Sequence, residues 1–264
     1  LEYSTLHVMG NSKNLSESTP PRKMDRLAAF LGSFKLTALV LDPKLPVKGP
    51  SLWLHEPLQG GGRIALRMTS HSQPPADIRA VVAIDFENAA NPLMKAIPEE
   101  ISVALDDVPA LSATTQAFLS EVESNRCGRL AALDRLAEVM VLMVLRQLID
   151  EGGHQAGLFA ALAHPNLHRA LVSMHDHPEK AWNVEQLAEV AAMSRTQFMT
   201  KFRRIMGTSP MNYLGTWRLA LASRQLKEGH SVKSVARRVG FNSAEGFSRA
   251  YSRVYGKSPK ARRD

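Results

Sequence analysis

The last third of the chain nearly repeats itself, and a repeat of this length limits the fold more than any other feature of the sequence. In the first copy Val184, Leu187-Ala188 and Met193 are followed by Phe198, Phe202, Gly207 and Ser209-Pro210. In the second, Val232, Val235-Ala236 and Phe241 are followed by Phe247, Tyr251, Gly256 and Ser258-Pro259. The offset is 48 up to Met193 and Phe241 and 49 from Phe198 and Phe247 onward, so one residue has entered at a turn.

Each copy has the spacing of a helix-turn-helix. Val184, Leu187-Ala188 and Ala191 form one short apolar face at helical intervals. Ala192-Met193-Ser194 supplies a turn, and Ser194 is placed to cap the next helix by accepting from its free N–H groups. Phe198 and Phe202, four apart, share the inner face of that helix and leave Arg195, Thr196, Met199, Thr200 and Arg203 outside. In the second copy Ser243 is the cap and Phe247 and Tyr251 the inner pair, with Ala244, Glu245, Gly246, Arg249 and Arg253 outward. A recognition helix needs small or polar residues near its N-terminal end to reach base edges, with basic side chains beside it to hold phosphates. Residues 211–227 read as one long helix between the copies, ended by Gly229. Tyr213, Leu214, Trp217, Leu221 and Leu226 give it an apolar side, and Arg218, Arg224 and Lys227 are expected to face outward. Two heads on one side of DNA would sit about 34 Å apart, and a closer rigid pair would require bent DNA.

Charge agrees with this reading. The formal net charge is +8, but residues 166–264 hold 6 Lys and 12 Arg against 7 acidic residues, an excess of +11, and the rest of the chain carries −3. One domain therefore suits a polyanion and the other does not. A solvated basic surface on an ordinary helical domain is the plainer alternative.

Upstream, residues 1–24, ending near Thr19-Pro20-Pro21, read as a flexible leader or tag remnant. A short amphipathic helix is expected over 25–32, followed by β-like runs at 34–41, 51–55, 63–69, 78–86 and 101–105. Gln59-Gly60-Gly61-Gly62 reads as a hairpin turn. Short strands at such spacing suggest a small sandwich or barrel. Helical patterns then cover 112–123 and 129–149. Along the second, Leu133, Leu136, Met140, Met143 and Val144 lie in a wide apolar stripe. It suits either packing onto the β-domain or a dimer seam, and heptad-like spacing permits the latter.

Residues 167–264 resemble the DNA-binding domain of the AraC/XylS family of transcriptional regulators. The likeness runs from 182–204 through Gly207-Thr208-Ser209-Pro210-Met211-Asn212-Tyr213-Leu214, Arg218-Leu219-Ala220-Leu221-Ala222, 231–241, Phe247-Ser248-Arg249-Ala250-Tyr251 and Gly256-Lys257-Ser258-Pro259. Two copies, a bridging helix and both Gly-x-Ser-Pro ends are far more specific than a lone helix-turn-helix. The resemblance implies that Arg195, Thr196, Met199 and Thr200 meet bases in one groove, with most of the discrimination there, and Ala244, Glu245, Gly246 and Arg249 in the next. Met199 offers only apolar contact, Gly246 weakens its helix, and Glu245 repels phosphate but can accept from a cytosine amino group. Arg203, Arg204, Arg238 and Arg253 are the candidates for phosphate contacts.

Residues 63–165 resemble the back half of a cupin-type regulatory domain, carried by 76–86, Asn91-Pro92-Leu93, Ile97-Pro98 and Leu133-Asp134-Arg135-Leu136-Ala137. Residues 25–75 are too few for a complete jelly roll. No His-x-His followed by Glu and a distant His is present there; upstream of residue 167 the histidines His7, His55, His71, His154 and His164 are scattered. No metal or other cofactor is expected. His175-Asp176-His177 is expected at the surface or as cap chemistry. Cys127, the one cysteine, excludes an internal disulfide.

The chain is thus expected to be α+β: a leader (1–24), a small, trimmed cupin-like β-barrel (25–108), a helical linker and dimerisation region (109–165) and an all-α double helix-turn-helix domain (166–264). It reads as a sequence-specific transcriptional regulator and not an enzyme, an activator by analogy, whose N-terminal domain senses an effector or dimerises. The partners expected are promoter double-stranded DNA, RNA polymerase, a small-molecule effector and a second copy, in a bacterial cytoplasm. No apolar run approaches the roughly 20 residues of a membrane span. A cupin-type enzyme with an accessory DNA-binding module is the rival.

Overall fold

A computed structural model describes residues 25–262 apart from 45, 46, 48, 56–64, 70–76, 88–90, 99 and 153–155. The leader, the Gln59–Gly62 turn, His7, His71 and His154 lie outside the described residues. The chain opens with α1 (Ala28–Ser33), then β1 (Thr37–Leu41), β2 (Ser51–His55), β3 (Ala65–Thr69), β4 (Ile78–Asp85), α2 (Pro92–Ala96) and β5 (Glu100–Ala104). Helices follow to the end: α3 (Pro109–Glu123), α4 (Arg129–Glu151), α5 (Leu158–Ala163), α6 (Leu167–Asp176), α7 (Val184–Val190), α8 (Arg195–Met206), α9 (Pro210–Lys227), α10 (Val232–Arg238) and α11 (Ala244–Tyr255).

The strands pair antiparallel in one five-stranded sheet of order β1-β4-β2-β3-β5. The α+β class holds, but the expected barrel is, among the described residues, an open sheet with β1 and β5 as its edges. Period-2 alternation sends Leu52, Leu54, Val82 and Ile84 to the face that joins the main core, while Trp53, Val81 and Val47 form a small cluster on the other. The α3–α4 hairpin lies against that main face, and α4 packs along β1. Arg129, at the start of α4, donates from Nε and Nη2 to the Glu121 and Val122 carbonyls (3.0 and 2.8 Å), closing the C-terminal end of α3. Leu133, Met140 and Val144 of the α4 stripe are fully buried within the chain, whereas Leu136 and Met143 are half-buried. The stripe is wider than one partner needs, so most of it goes to the sheet and α3.

The main core does not stop at the sheet. It continues without a break through α5 and α6 into α7, α8 and the first half of α9, ending at Trp217 and Ala220. Phe30 of α1 contributes an edge-on ring to both His175 (4.5 Å) and Trp217 (5.0 Å), and Phe34 packs 5.7 Å from Trp217. His175 Nε2 and the Tyr213 hydroxyl share a hydrogen bond of 2.7 Å. His175 is therefore not the surface group expected from its His-Asp-His setting. It follows Leu167 and Leu171 at intervals of four on α6, and that face points inward. Burial drives its pKa down to about 3 and pushes the Tyr213 hydroxyl up.

Candidate nucleic-acid interface

The two repeats fold into the same local unit, built by the same devices. Asn183 opens α7 with a reciprocal cap, accepting from Gln186 N (2.8 Å) while Gln186 Oε1 accepts from Asn183 N (3.2 Å). Ser231 opens α10 by accepting from Ser234 N (3.3 Å). Each short helix then stops in a left-handed residue, Ala192 at φ 51° and Gly240 at φ 84°. The next N–H, from Met193 or Phe241, returns 2.9 Å to the Ala188 or Ala236 carbonyl. The extra residue of the second copy is Asn242, just before the cap. Ser194 Oγ accepts from Gln197 N at 3.3 Å and Ser243 Oγ from Gly246 N at 3.0 Å, which starts α8 and α11. Gly207 and Gly256 close the two helices at φ 68° and 69°, where a side chain would strain the backbone.

Phe198 and Phe202, and likewise Phe247 and Tyr251, are buried, so their helices present the opposite side to solvent. At 3.6 residues per turn that side carries Thr196, Thr200, Arg203 and Arg204 on α8, and Glu245, Arg249 and Arg253 on α11. All seven are exposed. Met199, Ala244 and Gly246 are half-buried at the flanks of these faces, and Arg238 is exposed at the end of α10. Arg195 is exposed, but its Nε is paired with Glu185 Oε1 of α7 at 2.6 Å, so it also fastens the start of α8 to its neighbour. Arg204 and Lys201 lie near His164, whose pKa is lowered by burial first and then by those two charges. His164 stays neutral as a cap: its Nδ1 accepts from Asn166 N (3.1 Å) and Leu167 N (3.3 Å) at the head of α6.

Local patterning misses some contributors. Lys233 and Lys260 line an open groove together with Ser231 and with Glu245 of α11. These residues are far apart in sequence, and no local signal joins them. Nor do all three basic side chains of α9 face outward as expected. Arg218 donates from Nε to the Pro178 carbonyl (2.6 Å) and from Nη2 to that of Lys180 (2.8 Å). Arg224 donates from Nη1 to the Ser33 and Gly32 carbonyls and from Nε to Glu228 Oε1 (2.8 Å), with Glu87 Oε2 4.0 Å away. Lys227, although exposed, reaches the Glu87 carbonyl at 3.4 Å. Carbonyls at the end of α1 and in the α6–α7 loop draw Arg218 and Arg224 onto the protein. Cys127 is exposed at the α3–α4 turn. Among the described residues no group of three His, Cys, Asp or Glu side chains is placed to hold a metal ion, and no helix is long and apolar enough to cross a membrane.

Comparison with known proteins agrees with this geometry. Residues 187–264 match the family described as a helix-turn-helix domain, and residues 54–150 the family described as a cupin. Over 168 residues the chain is 33% identical to an uncharacterized HTH-type transcriptional regulator of Haemophilus influenzae, covering 63% of this chain and 56% of the relative. It is 33% identical over 179 residues to the HTH-type transcriptional regulator AlkR of Acinetobacter baylyi, covering 64% and 57%. It is 34% identical over 173 residues to a Streptomyces lividans protein described as an AraC-like transcription regulator, covering 63% and 56%. The chain therefore spans little more than half the length of these relatives. Residues 187–264 thus carry a helix-turn-helix domain with a cupin domain ahead of it at residues 54–150, and over little more than half of their length the chain is similar to HTH-type and AraC-like transcription regulators.

Proposed function

We propose that the chain is a sequence-specific DNA-binding transcriptional regulator, an activator, that lays α8 and α11 into successive major grooves. The observation that carries this reading is the pair of equivalent capped helices, each exposing the side opposite its buried aromatic pair. Thr196, Met199 and Thr200, with Arg195 beside them, are the base readers of the first head. Ala244, Glu245, Gly246 and Arg249 serve the second. Arg203, Arg204, Arg238 and Arg253 hold phosphates, a role for which exposed guanidinium groups beside a groove-entering helix are suited. Glu245, a carboxylate acceptor at the start of α11, suits a cytosine amino group better than a phosphate.

Residues 166–264 act as the reader and residues 25–108 as the regulatory part, which takes up a small-molecule effector. Residues 109–165 link them and support pairing with a second copy through the half-buried edge of the α4 stripe, Leu136 and Met143. The working partners are promoter DNA and RNA polymerase in a bacterial cytoplasm. Because the relatives named above are regulators, we read the cupin part as a sensor and not as an enzyme.

Selection of binding sites from a random duplex library, followed by hydroxyl-radical footprinting, tests the reading. The expected result is an enriched sequence with two protected major-groove segments about one helical turn apart. Binding that enriches no sequence, and weakens only with salt, would leave a non-specific polyanion binder instead.

A further inference from the structure

The second head has little apolar connection to the rest of the molecule. Its buried residues form a cluster separate from the main core, and the partly buried side chains that touch both are Leu221 and Tyr255. Its orientation needs a further constraint, and the loop between α6 and α7 is placed to supply it. That loop is itself stapled: Trp182 Nε1 donates to the His177 carbonyl (2.9 Å), and the Lys180 ammonium sits 3.9 Å over the Trp182 ring. Arg218, midway along α9, then takes the Pro178 and Lys180 carbonyls in one guanidinium fork. From the other side comes Gly240, the turn residue of the second head. A Cβ there would meet the Pro178 carbonyl oxygen and the Glu179 Cα and carbonyl oxygen, each at 2.8 Å. Two parts of the chain, the bridging helix and the turn of the second head, thus close on the short loop that leads into the first head.

We propose that Arg218 and Gly240 are positioning residues that lock the angle between the two heads through residues 178–180, and so fix the operator spacing the protein accepts. Neither residue touches DNA in this proposal, which rests on the DNA-reader reading above. A guanidinium is needed because it donates two bonds in a fixed plane to two carbonyls, whereas a lysine ammonium offers no such fork. Glycine is needed because backbone, not a yielding side chain, occupies the space.

The test has two arms on the full chain. In the first, spin labels are attached through Thr200→Cys and Arg249→Cys in a Cys127→Ser background, and the distance between heads is measured without DNA. The distribution should be narrow with Arg218 and Gly240 intact and broaden in Arg218→Ala and Gly240→Ala. Arg218→Lys should fall between, and it keeps the test alive should Arg218→Ala fail to fold by circular dichroism. In the second arm, unlabelled chain binds its selected duplex with 0, 1 or 2 base pairs inserted between the two protected segments. One insertion turns the far segment by about 35° and should cost the intact chain about tenfold in affinity. In Arg218→Ala the uninserted site should weaken while the insertion penalty shrinks to about threefold or less. A folded Arg218→Ala with an unchanged distance distribution and an unchanged spacing profile overturns the lock. Failure of the intact chain to select any duplex overturns the DNA reading instead, and the distance arm still decides the lock.

Discussion

The two reading units share a backbone plan and rest on different foundations. In the first, Phe198 and Phe202 belong to the core that runs back through α6 to the sheet and α1. In the second, Phe247 and Tyr251 close a separate cluster of eight buried residues, three of them from the far half of α9. Their outward faces differ as well. Thr196 and Thr200 of α8 stand where α11, 49 residues on, has Glu245 and Arg249. Equivalent sequence thus produces equivalent local structure, while the neighbours that each copy meets decide what it is attached to. The first head shares its core with the sheet. The second is an outlying module, reached through α9 and the Arg218 fork.

Truncating the inner aromatic residues should separate the two foundations most clearly. Phe202→Ala and Tyr251→Ala should each cost about 3–5 kcal/mol. The first should lower the main melting transition of the chain, and the second should split off an early transition confined to α10 and α11, read by calorimetry and hydrogen exchange. One coincident transition in both variants would mean the cores are energetically one.

Acid should act on the first foundation before the second. His175 is held at about 3 by burial, below its ordinary 6.5. Its contribution is complete above pH 6.5, where neither state is protonated, and is lost as pH falls and the unfolded chain takes up a proton that the native chain refuses. The slope is about 1.4 kcal/mol per pH unit until pH nears 3. His164 and His168, also lowered by burial, act in the same direction. Urea midpoints measured against pH should show this loss, with protection vanishing from α1 and α6, which pack around His175, ahead of α11. A flat profile between pH 6 and 4 would remove His175 from the account.

The outward faces give the next contrast. Thr196→Ala with Thr200→Ala should cost about 1–3 kcal/mol on the selected site and spare random duplex. Arg253→Ala should weaken both alike and lower the salt slope by about 0.9. Equal losses on both duplexes for the threonine pair would end their role as readers. The smallest effect belongs to the turns. Ala192 holds φ 51° where the second head has glycine, so Ala192→Gly should be neutral to stabilising by up to about 1 kcal/mol in thermal melts. A clear loss of stability would show that the Ala192 side chain matters beyond its backbone.

Most of the reading half was legible because its information is local. Four-residue aromatic spacing, Ser or Asn before each helix and glycine after the longer ones specify helices and their caps within a turn or two of chain. Strand positions were legible for the same reason: β2 spans the expected residues, and β4 and β5 shift by one. The short α2, α5 and α6 went unannounced, being brief segments whose helical form depends on what they pack against. Arg218 and Arg224 were misread because a basic residue on an amphipathic helix looks the same whether it meets solvent or a distant carbonyl. His175 was misread because its polar neighbours in sequence are not its neighbours in space.

The sequence by itself determined that there are two helix-turn-helix units, a long helix between them, a concentrated positive charge and an upstream β-rich part, since each rests on spacing, capping or composition within a short window. Only the tertiary structure decided that the first unit shares its core with the sheet, that α1 and Glu87 grip α9, and that Arg218 and Gly240 close on residues 178–180. Those features join groups from 38 to more than 190 residues apart, and which distant carbonyl or ring a side chain meets depends on the packing of whole elements, which no local pattern encodes.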